Sequence, residues 1–385
     1  MTPLIVIIYL AFIGLGLPDS LLGSAWPVMH IDLGAADSSA GIASLLITLC
    51  TIVSSLFSGR VIAKFGTGRL AAVSTLVTAL SLFGMSFSNS LWLTCALAIP
   101  FGLGAGSVDA GLNGYVAENL EVRHMNWLHS FWGLGAAVGP VILSLWIAVG
   151  SWRGGYRTVG GLQLMLALVL LFSLPLWKRS GGEKAQQESV RHATPFRKLF
   201  RLPGAIAAFL SFLFYCALET TVGLWGATYL VGVQGMKPGS AAGVVSLYYA
   251  GIMLGRLAGG FLNAKLPQKR LMRIGTAIIV LGVAALILPL GQIVASAGLL
   301  LIGLGCAPIY PGLMHETPEN FGSEHSQSVV GAQQACAYTG SALAPLLFGY
   351  MGGSIGYGVL PYFCAVLLAG MIVSMYRLHK RAINN

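Results

Sequence analysis

The sequence predicts an all-α membrane protein with twelve transmembrane helices in two pseudo-symmetric six-helix bundles. Three observations carry that prediction. Of the 385 residues, 56% are hydrophobic and only 9% charged, against about 25% charged in a soluble domain. The apolar residues gather in stretches of about 20, the length that crosses a hydrocarbon core as a helix. The first half of the chain also repeats, weakly, in the second.

The apolar segments are 4–27, 39–60, 70–88, 91–117, 127–150, 158–177, 204–232, 240–262, 274–292, 294–314, 328–351 and 356–376. Segment 1 begins Met1-Thr2-Pro3-Leu4, without a basic leader, and no small-residue cleavage site stands near Leu17-Pro18. It reads as a spanning helix and not as a removed signal peptide. Pro18 should bend that helix. Glycine is frequent (51 residues), as expected where membrane helices approach through small side chains. The six cysteines, Cys50, Cys95, Cys216, Cys306, Cys336 and Cys364, all fall in apolar segments without CxxC spacing. They read as small packing residues, with no metal site implied.

The connections explain the net charge of +10. Even-numbered connections and the C-terminus hold eighteen Lys and Arg; odd-numbered ones hold only Arg153, Arg157 and Lys237, and Arg256 lies inside segment 8. This asymmetry is the positive-inside pattern and places both termini in the cytoplasm, in a multi-pass protein of the cell membrane. The basic excess is therefore a topology signal and not a nucleic-acid surface. The stretch 178–203 is polar and basic, and reads as a cytoplasmic linker. It separates an N-terminal bundle, 1–177, from a C-terminal bundle, 204–385.

The repeat has a register. Gly59 to Lys64 returns as Gly260 to Lys265, and Gly111-Leu112 with Glu118-Asn119 returns as Gly312-Leu313 with Glu319-Asn320. His129, Gly135 and Pro140 share their spacing with Gln334, Gly340 and Pro345, while Asp19 and Gly23 match Glu219 and Gly223. Parallel six-helix repeats are the layout of transporters that rock two halves about a site at the bilayer midplane.

Twelve helices, the basic central loop and the turn Gly59-x-x-x-Ala63-Lys64-x-Gly66-x-x-Arg69 resemble the major facilitator superfamily. Ala63 stands where that turn usually carries an acid, so the usual gating salt bridge is not implied here. Three segments resemble the fucose–proton symporter group, which includes fucose and glucose permeases. They are Leu17-Pro18-Asp19, Asp109-Ala-Gly-Leu-Asn113-Gly-Tyr115 and Leu128-His129-Ser-Phe131-Trp-Gly133-Leu-Gly135. Glu219-x-x-x-Gly223-x-Trp225-x-x-x-Tyr229 looks like that group as well. The resemblance implies a secondary transporter that takes up a hexose, deoxyhexose or polyol with protons by alternating access. The runner-up is a drug–proton antiporter of the same superfamily. Gly135-x-x-x-Gly139-Pro140 partly resembles the antiporter motif, but Leu143-Ser144 replaces its doubled glycine. A membrane enzyme or a sensor is the reading from another class. The sequence has no HExxH, so no catalytic or metal site is expected.

The intramembrane acids lead the functional reading, because a carboxylate at the centre of a membrane helix costs roughly 2.5–3.5 kcal/mol. Burial favours a carboxyl's protonated form and solvation its ionised form, so alternating the two environments moves protons. Asp109, Asp19, Glu219 and His129 are the proton-coupling candidates. Asp109 and Asn113 are four apart and share a helix face. Asp19 and Glu219 are pseudo-equivalent and should face one another across a cavity. The substrate-binding set is Asp19, Asn113, Tyr115, Glu219, Trp225, Tyr310 and Gln334. Tyr115, Trp225 and Tyr310 are favoured for stacking over Trp26, Trp132, Tyr229, Tyr248, Tyr249 and Tyr338. Gln334 is preferred to its neighbour Gln333, which must point elsewhere. Gly59, Lys64, Arg69, Arg256 and Lys265 are assigned to gating or structure, with Arg256 either snorkelling to the surface or pairing with an acid. For every acid the bland alternative is a permanent structural pair. No cofactor is expected. The coupling ion is H⁺, with Na⁺ the other candidate, and the partners are a small polar solute and the bilayer around a monomer.

Overall fold

The computed structural model describes residues 2–120, 122–177, 196–262 and 266–382, which are helical almost throughout. Residues 178–195 of the expected linker and Lys265 lie outside the described residues. The helices of the first half are α1 (Thr2–Asp19), α2 (Leu21–Asp32), α3 (Ala40–Phe65), α4 (Thr67–Ser86), α5 (Leu91–Asn119), α6 (Val122–Ala148) and α7 (Trp152–Phe172). A short α8 (Phe196–Leu199) precedes α9 (Ala205–Gly232), α10 (Pro238–Leu262), α11 (Gln268–Ile287), α12 (Gln292–Cys306), α13 (Ile309–His315), α14 (Thr317–Ile355) and α15 (Leu360–Ala382).

Segment 1 is broken between α1 and α2, directly after Pro18-Asp19. Proline has no N–H, so the Gly14 carbonyl four residues earlier loses its helical partner. Gln163 of α7, 3% exposed, supplies the replacement by donating its side-chain amide to that carbonyl. A neighbouring helix thus satisfies the polar group that proline frees inside the membrane. Segment 10 is broken too, at Ala307-Pro308 between α12 and α13, where the sequence reading ran one helix through 294–314. Segment 11 belongs to the long α14, which bends at Gly322 (φ 75°), a backbone region that glycine enters without steric cost.

Eleven helices among the described residues are long and apolar enough to cross a membrane, against twelve expected. The twelfth is the arm of α14 after Gly322. It has the length, but Gln333, Gln334, Thr339 and Ser341 make it more polar than its counterparts.

The packing repeats as the sequence does. In the first half α1 packs on α6, α3 on α5, α4 on α5 and α4 on α7; in the second α9 packs on α14, α10 on α12, α11 on α12 and α11 on α15. The tight pairs rest on glycine. A Cβ at Gly135 of α6 would run into the Ile13 carbonyl of α1, and one at Gly340 of α14 would run into the Leu213 carbonyl of α9. The main contacts that join the halves are α6 on α10, α3 on α14 and α2 on α9. At the end away from the basic connections the halves meet backbone to backbone. A Cβ at Gly23 would lie 2.5 Å from the Gly223 carbonyl oxygen, and one at Gly41 2.9 Å from Leu346 Cα. Nearer the basic end the halves part around a cavity, into which His129 and Gln334 are exposed.

Candidate functional site

A chain of polar groups crosses the middle of the bundle. It starts at Asp19, which the break after α1 leaves exposed to the cavity. Its Oδ2 accepts a hydrogen bond from Trp132 Nε1 of α6 at 2.8 Å. The Arg256 guanidinium of α10 lies over the Trp132 ring, 5.2 Å from its centroid, a cation–π placement within the usual 6 Å. Arg256 Nη2 then stands 3.8 Å from Glu219 Oε1 of α9, with only 15% and 16% of the two side chains exposed. That is an ion pair, but it is longer than a hydrogen bond. Tyr248 fixes the helix locally by donating its hydroxyl to the Glu219 carbonyl at 2.9 Å. Tyr249 meets Trp132 edge-on at 6.5 Å.

A second group faces this chain. Asn113 Nδ2 donates to Asp109 Oδ1 at 2.9 Å and to the Asp109 carbonyl at 3.0 Å, as the four-residue spacing on α5 requires. Asp109 is within electrostatic reach of Asp19, Tyr310 and Tyr338. Gln334 stands near the Tyr310 hydroxyl, and Ser55 of α3 near that of Tyr338. His129 sits edge-on to Phe12 at 6.0 Å, and Arg256 acts on it electrostatically.

The structure therefore gathers Asp19, Asp109, Asn113, His129, Glu219, Arg256, Tyr310 and Gln334 around one cavity, from both halves. Arg256 does not snorkel to the surface; it points inward to Glu219 and Trp132. Gln334 opens to the cavity, while Gln333 is 1% exposed and accepts from Thr317 Oγ1 at 3.0 Å.

Two residues of the expected binding set lie elsewhere. Tyr115 is 4% exposed and packs edge-on against Trp177 at 5.0 Å, because it projects from the far side of α5. Trp225 is fully buried, donates Nε1 to the Pro345 carbonyl at 2.8 Å and stacks on Tyr357 at 5.4 Å. It packs the closed end of the second half and does not line the cavity. The turn residues Lys64 and Arg69 are exposed, with Lys64 over the Phe65 ring at 5.2 Å, and Gly59 is half-buried on α3. Lys265 lies outside the described residues.

Sequence reasoning missed three things. Trp132 appears there only among less favoured aromatics, yet it bridges Asp19 and Arg256. Gln163 went unmentioned, although a glutamine in an apolar segment near a proline-broken helix is a readable signal. Glu316 and His379 form a buried pair, Oε2 to Nε2 2.9 Å, that clasps the start of α14 to the end of α15. It occupies the place that Tyr115 and Trp177 hold in the first half.

The chain matches the Major Facilitator Superfamily over residues 8–345 and belongs to that family. Among curated relatives, the cis,cis-muconate transport protein of Acinetobacter baylyi is 24% identical over 359 residues, 86% of this chain and 83% of that one. The glucose/mannose transporter of Bacillus subtilis is 22% identical over 248 residues, 62% of this chain and 60% of that one. Among solved structures, a nucleoside transporter, NupG, superposes with a TM-score of 0.78 at 14% identity, covering 97% of this chain and 98% of its own. The protein is thus a multi-pass membrane transporter of this superfamily, a family that handles diverse small solutes.

Proposed function

We propose that this protein is a proton-coupled symporter that takes up a hydroxylated solute of the hexose, deoxyhexose or polyol class by alternating access. The carrying observation is one cavity lined from both halves by three carboxyl groups, of which, among the described residues, only Glu219 has a cationic partner within 4 Å. Asp19 and Asp109 are held by neutral donors, Trp132 and Asn113, and so can exchange protons without breaking an ion pair. Asn113, Gln334 and Tyr310 offer donors and acceptors to hydroxyl groups. A lipophilic drug would leave those groups unpaired, at about 1–3 kcal/mol each. The glucose/mannose relative agrees with a sugar, and the sequence motifs resemble those of the fucose–proton symporter group. In this reading residues 1–177 and 204–385 are the two rocking bundles, 178–203 is their cytoplasmic linker, both termini are cytoplasmic and the protein works in the cell membrane as a monomer. The described conformation is then closed outward and open inward.

The test is uptake of labelled monosaccharides and polyols into proteoliposomes under an imposed pH gradient. Wild-type protein should concentrate the substrate. Asp109→Asn keeps the shape and the Asn113 contact but has no titratable proton, so accumulation should vanish while solute exchange survives. Accumulation by the variant at the wild-type level would sink the assignment.

A further inference from the structure

The least satisfied charged group in the cavity is Arg256. A guanidinium has five N–H donors in a planar fork. Among the described residues it has one charged neighbour, Glu219 at 3.8 Å, beyond hydrogen-bond distance, and one aromatic neighbour, the Trp132 ring. An arginine that serves as a structural partner frequently closes two parallel bonds on its carboxylate. Here the fork has the Trp132 ring beside it and a long-range attraction to Glu219, and among the described residues none of its N–H groups closes a hydrogen bond, with 15% of the side chain exposed. That arrangement pre-orients a cation for an acceptor supplied from outside the chain.

We infer that the substrate carries a carboxylate as well as hydroxyl groups, that is, a sugar acid, and that Arg256 binds its carboxylate in bidentate fashion on the Trp132 platform. The inference rests on the hydroxylated-solute reading above and narrows it. A planar carboxylate fits the guanidinium fork, whereas a sugar hydroxyl fills a single donor. The remaining hydroxyls are left to Asn113 from the first half and to Gln334 and Tyr310 from the second.

The charges then account for coupling. The groups facing the bound carboxylate are Asp19 on α1, Asp109 on α5, His129 on α6, Glu219 on α9 and Arg256 on α10, with the phenols of Tyr310 and Tyr338 nearby. With the acids ionised, these sum to excess negative charge. A substrate anion is accepted only when a proton arrives with it on one of the carboxyls. The solute enters as RCOO⁻ and leaves as RCOO⁻, and the proton is carried on Asp19 or Asp109 and released separately, so one monoanion and one proton cross together.

The test is calorimetric titration of the full-length purified protein with D-gluconate, D-glucuronate, D-glucose and adipate. The sugar acids should bind about tenfold or more tighter than glucose, and adipate, a carboxylate without hydroxyls, should bind about tenfold or more weaker than the sugar acids. Arg256→Lys keeps the charge and loses the fork, so it should remove most of the advantage of the sugar acids while glucose binding hardly moves. The unmodified protein gives a second readout should that variant not fold. In weakly buffered solution with a pH indicator, gluconate binding should take up about one proton per site, and glucose binding none. Glucose binding as tightly as both sugar acids, with no proton uptake, overturns the carboxylate assignment and leaves the hydroxylated-solute reading standing. Adipate binding as tightly as the sugar acids overturns the hydroxyl requirement and with it that reading. Absence of binding by either sugar acid overturns the inference outright.

Discussion

Replacing Gln163 by leucine should expose how the break in the first helix is held. Leucine is close in volume, so the packing survives, but the donor to the Gly14 carbonyl is lost. A buried carbonyl left without a partner costs about 1–3 kcal/mol. Side-chain bonds between membrane helices average about 0.6 kcal/mol and reach about 1.7, because alternative partners are usually found. The Gly14 carbonyl has lost its helical alternative to Pro18, so a cost of about 1.5 kcal/mol is expected, near the top of that range. The control is Pro18→Ala, which returns an N–H to the place four residues after Gly14. In that background Gln163→Leu should cost about 0.5 kcal/mol or less, giving a coupling of about 1 kcal/mol. Denaturant unfolding of the four proteins in detergent, followed by tryptophan fluorescence, measures the cycle. Independent sites add within about 0.3–0.5 kcal/mol. Equal costs in the two backgrounds, within that margin, would refute the argument that Gln163 stands in for the missing proline donor.

Two further outcomes follow from other features. His379→Ala leaves Glu316, 1% exposed, as an uncompensated buried carboxylate, and should destabilise the protein by about 3–5 kcal/mol; a melting temperature equal to wild type would show that the pair is not a clasp. Single cysteines at Ser189 and Ala35, in a background without native cysteines, should react with an impermeant thiol reagent from opposite sides of the membrane, Ala35→Cys alone in intact cells. Labelling of Ser189→Cys from outside would overturn the orientation of the whole chain.

Part of the site was legible because it is local. Asp109 and Asn113 meet through the four-residue spacing alone, and Asp19 is exposed where Pro18 announces a break. The misplacements of Tyr115 and Trp225 were local errors of the same kind. Tyr115 is two residues past Asn113, about 200° round the helix, and Trp225 is six past Glu219, about 240° round it. A residue on the opposite face cannot join the same cavity, however suitable its chemistry. The break at Pro308 also had its signal in the sequence. Other features depend on tertiary assembly. Nothing within α6 or α10 says that Trp132 and Arg256 meet, since they come together only when α6 packs across the halves on α10. The Glu316–His379 pair joins residues 63 apart in the manner of a core, where one-dimensional spacing carries no information.

The seal at the end away from the basic connections has a consequence for control. Its tightest contacts are of glycine backbone and apolar side chains, Gly23 against Gly223 and Leu224 and Gly41 against Leu346, with Asp37 within electrostatic reach of Tyr357 at the same end. The ion pairs close by, His30–Asp37 and Arg153–Asp32, each join residues of the same half. Parting the halves at those glycines breaks contacts whose strength depends little on proton concentration or salt. Under the proposed alternating-access reading, such a seal would open when charged groups some distance away change their protonation, which would keep the decision to open with the cargo.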